Sequence, residues 1–158
     1  MRDDIMMFLH HAGHIHRRII QAKMDQEGIS WGQPPVLMYL SDHDGCIQRD
    51  IAQNCHIKAA TVSSVLDNME QSGYIQRCSM AGDRRVQQVF LTATGREKGR
   101  MVRESILTFE QRCLQDIAPE DVVVFRSVLS KIIANLQIMD AETGGKDDKA
   151  EVEHGKNS

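Results

Sequence analysis

Residues 60–77 read ATVSSVLDNMEQSGYIQR, and apolar residues recur in them at helical spacing until Gly73. The spacing predicts an amphipathic helix over about 59–72 that ends at Gly73 in a left-handed conformation. Its apolar positions are Val62, Val65, Leu66 and Met69. The opposite side carries hydroxyl and amide groups, which either contact a polar partner or are simply solvated.

A β-hairpin is predicted directly after this helix. Its parts are a β-prone run, a glycine-containing connector and a second β-prone run, at residues 74–79, 80–84 and 85–91. Arg84 and Arg85 would then lie at the hairpin tip, where a guanidinium group can enter the narrow, electronegative minor groove of DNA. Asp83 is close enough along the chain to orient one of them through a bidentate ion pair.

Helices are predicted on both sides of this unit. Apolar residues at helical spacing place them at about 4–25, 30–41, 48–55, 93–116 and 119–139. Ser30 followed by Gln33 has the pattern of a capping box, and Thr92 is a suitable N-cap. Two short helices, 48–55 and 59–72, are what a helix-turn-helix needs around a small core. The sequence therefore predicts a mainly α fold with a small β-hairpin.

Formal charge is distributed unevenly along the 158 residues. The net charge of −3 is accounted for by residues 140–158, which hold six acids and three lysines. This tail shows no periodicity and is predicted to be disordered. Residues 76–103 hold seven arginines and lysines against two acids, a local balance of +5. A basic segment in a neutral body suggests a polyanionic partner, although a solvated arginine-rich face explains the charge equally well.

The composition, with 41% hydrophobic and 26% charged residues, is that of one ordinary soluble domain. The longest uninterrupted apolar run is far below the ~20 residues that cross a bilayer, so we expect a cytoplasmic protein with no membrane contact. Four cysteines without a C-x-x-C pair predict reduced thiols. No G-x-S-x-G, P-loop, G-x-G-x-x-G or H-E-x-x-H motif is found, so we expect neither an enzyme nor a cofactor.

Together, these elements resemble the MarR family of winged helix-turn-helix regulators over almost the whole chain. The segments that carry the resemblance are 33–40, 48–53, 60–77, 82–85 and 91–95. The most specific part is the D-x-R element at Asp83 followed by L-T-x-x-G at 91–95, in combination with the preceding helix. The chain departs from the family pattern in the turn at 55–57, which lacks a glycine, and in the pair Pro34 and Pro35.

The resemblance implies a mainly α fold with a small β-hairpin wing, and a homodimer in which the N- and C-terminal helices interlock. It implies one domain over 1–139, with dimerisation helices at about 1–29 and 93–139 and a DNA-binding lobe at about 30–92, followed by the tail. Ile5, Leu9, Ala12 and the apolar stripe of 122–139 exceed what a small DNA-binding core covers, so they suit a dimer interface. Alternatively, the terminal helices pack on their own domain.

The candidate DNA contacts lie on the polar side of helix 59–72 and in the wing. Small polar side chains on such a helix suit base edges and phosphates in the major groove. By resemblance, Arg85 enters the minor groove and Asp83 positions it, while Arg77 in the first wing strand would contact phosphate. The full set is Lys58, Thr61, Ser63, Ser64, Asn68, Arg77, Asp83, Arg84 and Arg85.

The resemblance also implies a pocket for a small-molecule effector, often an aromatic anion, between the dimerisation region and the DNA-binding lobe. Candidate lining residues are Met7, His10, His14, Trp31, Met38 and Phe109, although methionines and aromatic residues at helical spacing are more often plain core. His10 and His14 share a helix face at a spacing that suits zinc, but no further ligand is evident and no metal is assigned. Cys78 beside Arg77 either has an activated thiolate or is a small buried hydrophobe.

The first hypothesis is therefore a sequence-specific transcriptional regulator that binds double-stranded DNA, acting as a ligand-responsive repressor and a homodimer on a pseudo-palindromic operator. The alternative is a winged-helix module that binds other proteins instead of DNA, and a lesser alternative is a zinc- or redox-responsive regulator. The arginine pair in the wing separates the first two hypotheses, because an interaction module would not need it.

Overall fold

The computed structural model describes residues 4–80 and 82–143, with the backbone alone for residues 83–85. Its elements are α1 (Ile5–Gln26), α2 (Gln33–Asp42), β1 (Cys46–Ile47), α3 (Gln48–Asn54), α4 (Ala59–Gln71), β2 (Ile75–Met80), β3 (Asp83–Leu91), α5 (Ala93–Cys113) and α6 (Pro119–Glu142). The predicted fold class and all predicted helices are confirmed. The described residues divide into two compact units, the first ending at Gln111 and the second beginning at Arg112. The division into a DNA-binding lobe and dimerisation helices concerns function and stays a prediction.

The core of the first unit is formed mainly by the helix-turn-helix and the sheet. Its buried side chains are Met24, Ile29, Val36, Leu37, Leu40, Ile51, Val62, Val65, Leu66, Met69, Tyr74, Ile75, Val89, Leu91 and Val102. All four apolar positions predicted for α4 are in this set, because residues three and four apart lie on one helix face. The long helices α1 and α5 each contribute one buried side chain, Met24 and Val102, while Phe8 on α1 stays exposed.

The sheet has three antiparallel strands in the order β1-β3-β2. β2 and β3 form the predicted hairpin, with Ile75 opposite Leu91. β1 is a strand that the sequence does not predict, and it places Cys46 opposite Val89. The central strand of the sheet is therefore the second strand of the hairpin, which ties the hairpin to the start of the helix-turn-helix.

The hairpin turn is tighter than predicted. Met80 already pairs with Asp83, and Gly82 has a φ of +95°, a conformation that lets a chain reverse within two residues. The predicted connector over 80–84 is therefore wrong. Arg84 lies within β3, next to the turn instead of in it.

The start of α2 also differs from its prediction. The Ser30 backbone N–H donates to Gln33 Oε1 at 3.0 Å, as a capping box requires. The N-cap, however, is Gly32 with a φ of +89°, so the helix begins at Gln33 and not after Ser30. This late start places Pro34 and Pro35 in the first turn, where backbone N–H groups have no acceptor within the helix.

The L-T-x-x-G motif joins α5 to the base of the hairpin. Thr92 Oγ1 accepts a hydrogen bond from the Gly95 N–H at 3.0 Å, which confirms Thr92 as a cap, and the Thr92 N–H donates to Tyr74 O at 3.0 Å. A Cβ atom on Gly95 would lie 1.9 Å from Tyr74 O, and one on Gly99 would lie 2.6 Å from Ser41 Oγ. Gly95 thus permits a backbone approach that no larger residue allows, whereas the nearest atom at Gly99 belongs to a side chain.

α6, in the second unit, has no buried residue. Its exposed apolar side chains surround the helix and are not confined to one stripe: Val123, Val124, Phe125, Val128, Ile133, Leu136, Ile138 and Met139. Among the described residues, α6 is the one helix long and apolar enough to cross a membrane, by length and composition alone. The expectation of no membrane contact rests on uninterrupted apolar runs, which Arg126 and Lys131 divide in α6. At the bilayer centre each cation would cost about 2.5–3.5 kcal/mol, so a protein partner suits α6 better than lipid.

The end of α6 lies slightly beyond its predicted position. The helix continues to Glu142, and the Thr143 N–H closes it by donating to Met139 O at 3.0 Å. Residues 140–142 therefore belong to the helix and not to the tail. The rest of the predicted tail, 144–158, lies outside the described residues.

Candidate nucleic-acid interface

The polar side of α4 is open to solvent along its length. Thr61, Ser64 and Asn68 are exposed on one flank, three and four residues apart. Lys58, immediately before the first helical residue, is exposed as well. Ser63 is half-buried and lies on the opposite flank from Thr61, because two residues correspond to about 200° on a helix. The structure thus brings four of the five predicted residues together and sets Ser63 apart.

The turn between α3 and α4 forms although it contains no glycine. His56 takes the left-handed conformation there, with a φ of +53°. The Ile57 N–H donates to Ala52 O at 3.0 Å and closes the turn. A left-handed conformation in a residue with a Cβ costs about 1–2 kcal/mol. The departure from the family pattern therefore introduces local strain and leaves both helices intact.

Arg77 joins the wing, formed by β2 and β3, to α4. Its Nη2 atom donates to Asp67 Oδ1 at 2.6 Å, and its Nε atom lies 3.7 Å from Glu70 Oε2. Its backbone N–H donates to Glu70 Oε1 at 3.3 Å. Only 21% of the side chain is exposed. Arg77 therefore holds β2 against the helix, a partnership that sequence reasoning missed, and its phosphate contact stays a prediction.

The remaining wing candidates are described by their backbone alone. Asp83, Arg84 and Arg85 are the first three residues of β3, and their side chains lie outside the described residues. Farther along the wing, Gln87 Nε2 donates to Ser79 Oγ at 3.0 Å across the two strands. The two arginines therefore follow the turn on a paired strand, and their groove contacts stay predictions.

The two aromatic residues of the predicted effector pocket have partners on α1. The Arg17 guanidinium lies over the Trp31 ring, 5.3 Å from its centroid. Phe109 meets His16 edge-on, with 5.2 Å between the ring centroids. The two contacts use different residues of α1, so they do not by themselves define one pocket.

The other four members of that predicted pocket differ in exposure. Met7, His10 and His14 are exposed on α1, whereas Met38 packs against the core. Among the described residues, no three His, Cys, Asp or Glu side chains are grouped so that they could hold a metal ion. The effector pocket stays a prediction.

All four cysteines are free thiols, and they differ in environment. Burial, followed by the charge of Asp50, raises the pKa of Cys46 to about 11. Burial also raises the pKa of Cys55. Cys78 is exposed in β2, opposite Gln88. The two thiols flanking α3 are therefore held in the neutral form, which is the less reactive one.

At pH 8 we expect iodoacetamide to alkylate Cys46 at least about tenfold more slowly than Cys78, because few Cys46 thiols are ionised and the side chain is half-buried. Labelling should be followed by mass spectrometry of the native protein over time. The Cys46 rate should rise as the pH approaches 11, whereas equal rates at pH 8 would contradict the protected environment. The unfolded protein, in which the environments are lost, is the control.

Comparison with known families gives a match over residues 27–86, to the family described as MarR family. The uncharacterized HTH-type transcriptional regulator YfiV of Bacillus subtilis is 30% identical over 110 residues, which are 68% of this chain and 69% of that protein. The B. subtilis protein YwoH, described in the same words, is 28% identical over 112 residues, 68% of this chain and 81% of its own.

Solved structures give the same result. MepR of Staphylococcus aureus in complex with DNA is 25% identical with a TM-score of 0.78, covering 84% of this chain and 98% of that chain. MepR in its DNA-binding conformation is 26% identical with a TM-score of 0.73 over the same shares. A MarR protein from Peptoclostridium difficile reaches a TM-score of 0.80 at 15% identity, over 90% of this chain and 94% of that one, a likeness of fold.

Proposed function

The chain belongs to the MarR family of DNA-binding transcriptional regulators and is not an enzyme, and we propose that it is a cytoplasmic, ligand-responsive repressor that binds a pseudo-palindromic operator as a homodimer. The observation that carries the proposal is the solvent-exposed polar flank of α4 beside a wing that Arg77 holds against the same helix. A protein-binding winged-helix module has no comparable support, since MepR, with the same fold, is known in complex with DNA.

In this proposal α4 enters the major groove and the wing reaches the minor groove. Thr61, Ser64 and Asn68 read base edges from the exposed flank, and Lys58 adds positive charge at the start of the helix. Phosphate and minor-groove contacts come from the wing. The full set proposed for DNA is Lys58, Thr61, Ser63, Ser64, Asn68, Arg77, Asp83, Arg84 and Arg85.

Dimerisation supplies the second copy of α4. α1 exposes Ile5, Met6, Met7 and Phe8, and α6 exposes eight large apolar side chains. Apolar surface of this extent on a folded unit marks an interface. Two copies of α4 about 34 Å apart would meet successive major grooves on one face of the duplex.

The effector, for which an aromatic anion is the expected class, would act on the spacing of the two α4 helices. Its proposed site is lined by Met7, His10, His14, Trp31, Met38 and Phe109. A ligand that binds better to a dimer with the wrong spacing lowers operator affinity by its preference for that state. Control by zinc is less well supported, since among the described residues no three His, Cys, Asp or Glu side chains are grouped to hold a metal ion. Control by cysteine oxidation would have to use an exposed thiol such as Cys78, since Cys46 and Cys55 are protected.

Arg85→Ala should weaken binding to every duplex and lower the slope of log K against log salt by about one unit, because one contact to the DNA polyanion is lost. Ser64→Ala should instead change base preference and leave the slope unchanged. Both are measured by fluorescence anisotropy across a salt series, after selection of bound sequences from random DNA. Arg18→Ala, on the exposed surface of α1, is the matched control. Absence of duplex binding at low salt would contradict the proposal.

A further inference from the structure

Three arginines of α5, none of them a DNA-binding candidate, lie on one side of that helix. Arg96, Arg100 and Arg103 are separated by four and three residues, the spacing of one helix face. They line a cavity of about 350 Å³ together with the end of α2, Asp44 and Leu91. We call this cavity the arginine cleft.

Two of the three guanidinium groups are neutralised within the cleft. Arg103 Nη2 donates to both carboxylate oxygens of Asp42, at 2.9 and 2.8 Å. Arg96 Nη1 donates to Asp44 Oδ2 at 2.7 Å. Both arginines keep part of their surface in solvent, 60% of the Arg96 side chain and 44% of the Arg103 side chain. Each therefore has N–H groups left over for a further acceptor.

Arg100 is the third cation and has no carboxylate of its own. Within residues 4–80 and 82–143 its guanidinium group makes no ion pair or hydrogen bond. It stands between two neutralised arginines on the same helix face, so the cleft carries one excess positive charge and several unused N–H donors. Guanidinium groups in this arrangement match the geometry of a phosphate or carboxylate group.

We propose that the arginine cleft binds a small oxyanion ligand, one that carries a phosphate or carboxylate group. Arg100 pairs with the anionic group, and the outward N–H groups of Arg96 and Arg103 supply further charge-assisted hydrogen bonds. The cavity has room for a compact ligand, and the buried Leu40 and Leu91 side chains form its floor. The site is separate from the effector residues proposed above, none of which lines this cleft.

The arginine cleft is connected to the wing through Asp44. Asp44 holds Arg96 through Oδ2 and, through Oδ1, accepts the Leu91 N–H at 2.8 Å at the end of β3. A ligand that draws Arg96 away changes the partner of a carboxylate that anchors the wing. Anion binding should therefore alter operator affinity. This consequence rests on the proposed function, whereas binding to the cleft does not.

The test is isothermal titration calorimetry of the full chain without DNA, using inorganic phosphate, pyrophosphate and citrate at constant ionic strength. Arg100→Gln should weaken binding about tenfold or more, because its charge-assisted hydrogen bonds are lost. Arg18→Gln, the same change on the exposed surface of α1, should leave the affinity unaltered. Tighter binding of the phosphates or of citrate shows whether the cleft prefers a phosphate or a carboxylate group. Either result supports the proposal.

A second variant distinguishes binding from structural support. Asp42→Asn frees Arg103 from its bidentate partner and should tighten anion binding by about threefold, since an exposed ion pair is weak. A merely structural cluster would show no gain. No heat with any of the three anions up to millimolar concentration, or equal affinities of the original chain and Arg100→Gln, would overturn the proposal. Because no DNA is present, failure here leaves the operator proposal untouched, and loss of operator binding leaves this result standing.

Discussion

Gly95→Ala is expected to lower the free energy of unfolding by about 3 kcal/mol, at the upper end of what one inserted methyl group does in a packed interior. The new Cβ would lie 1.9 Å from Tyr74 O, 2.8 Å from Tyr74 C and 3.1 Å from Leu91 Cδ2. Two of these atoms are backbone, so they cannot turn away, and α5 would have to separate from the hairpin base. Urea unfolding followed by circular dichroism measures the change.

Gly13→Ala is the matched control for that variant. It also adds one methyl group to a helical glycine, but nothing lies within 4 Å of the new atom. Relief of the glycine entropy cost should raise stability by about 0.5–1 kcal/mol. Both variants should be unfolded at the same protein concentration, so that association does not enter the comparison. A Gly95→Ala chain as stable as the original would contradict the close packing of α5 on Tyr74.

The L-T-x-x-G motif is visible in the sequence, but its contacts with Tyr74 cannot be predicted from the sequence. Helix periodicity is a local property, so the buried side of α4 could be predicted from its own thirteen residues. The contact between Gly95 and the Tyr74 carbonyl joins two parts of the chain that no local pattern relates. β1 was missed for a similar reason: a two-residue strand has no periodicity, and only its pairing with Val89 defines it.

The candidate interface shows the same division between local and distant information. The exposure of Thr61, Ser64 and Asn68 follows from their spacing. The pairing of Arg77 with Asp67 joins residues ten positions apart on different elements, and sequence spacing does not reveal it. Asp44 likewise accepts hydrogen bonds from Leu91 and Arg96, which are 47 and 52 positions farther along the chain. Charge content could be read from the sequence, but which charges are already paired could not.

α6 exposes large apolar side chains that no other described residue buries. A helix face that carries many large apolar side chains is normally buried, because its exposure to water is costly. Here 58% of Phe125 and 49% of Leu136 are exposed. These two residues are eleven positions apart, which is about three helical turns, so they lie on the same face. A second copy of the chain, placed as the proposed function requires, would cover this face.

Phe125→Glu combined with Leu136→Glu should therefore convert the protein to monomers and weaken operator binding by about 100-fold or more. Two buried carboxylates at an interface oppose association, and a monomer loses the linkage that makes the second half-site contact intramolecular. Sedimentation equilibrium measures the first effect, and anisotropy with the full palindrome measures the second. On an isolated half-site the variant and the original protein should bind alike, because α4 and the wing are unchanged.

Ser127→Glu is the control, since it places a carboxylate on α6 about 200° away from Phe125. It should leave the dimer largely intact if the face with Phe125 and Leu136 forms the interface. A double variant that remains dimeric would show that another surface joins the two copies. The proposed dimer would be contradicted if the protein without substitutions were monomeric and bound the full operator no better than a half-site. In that case only one α4 contacts the duplex at a time, so a pseudo-palindromic operator would have no physical basis.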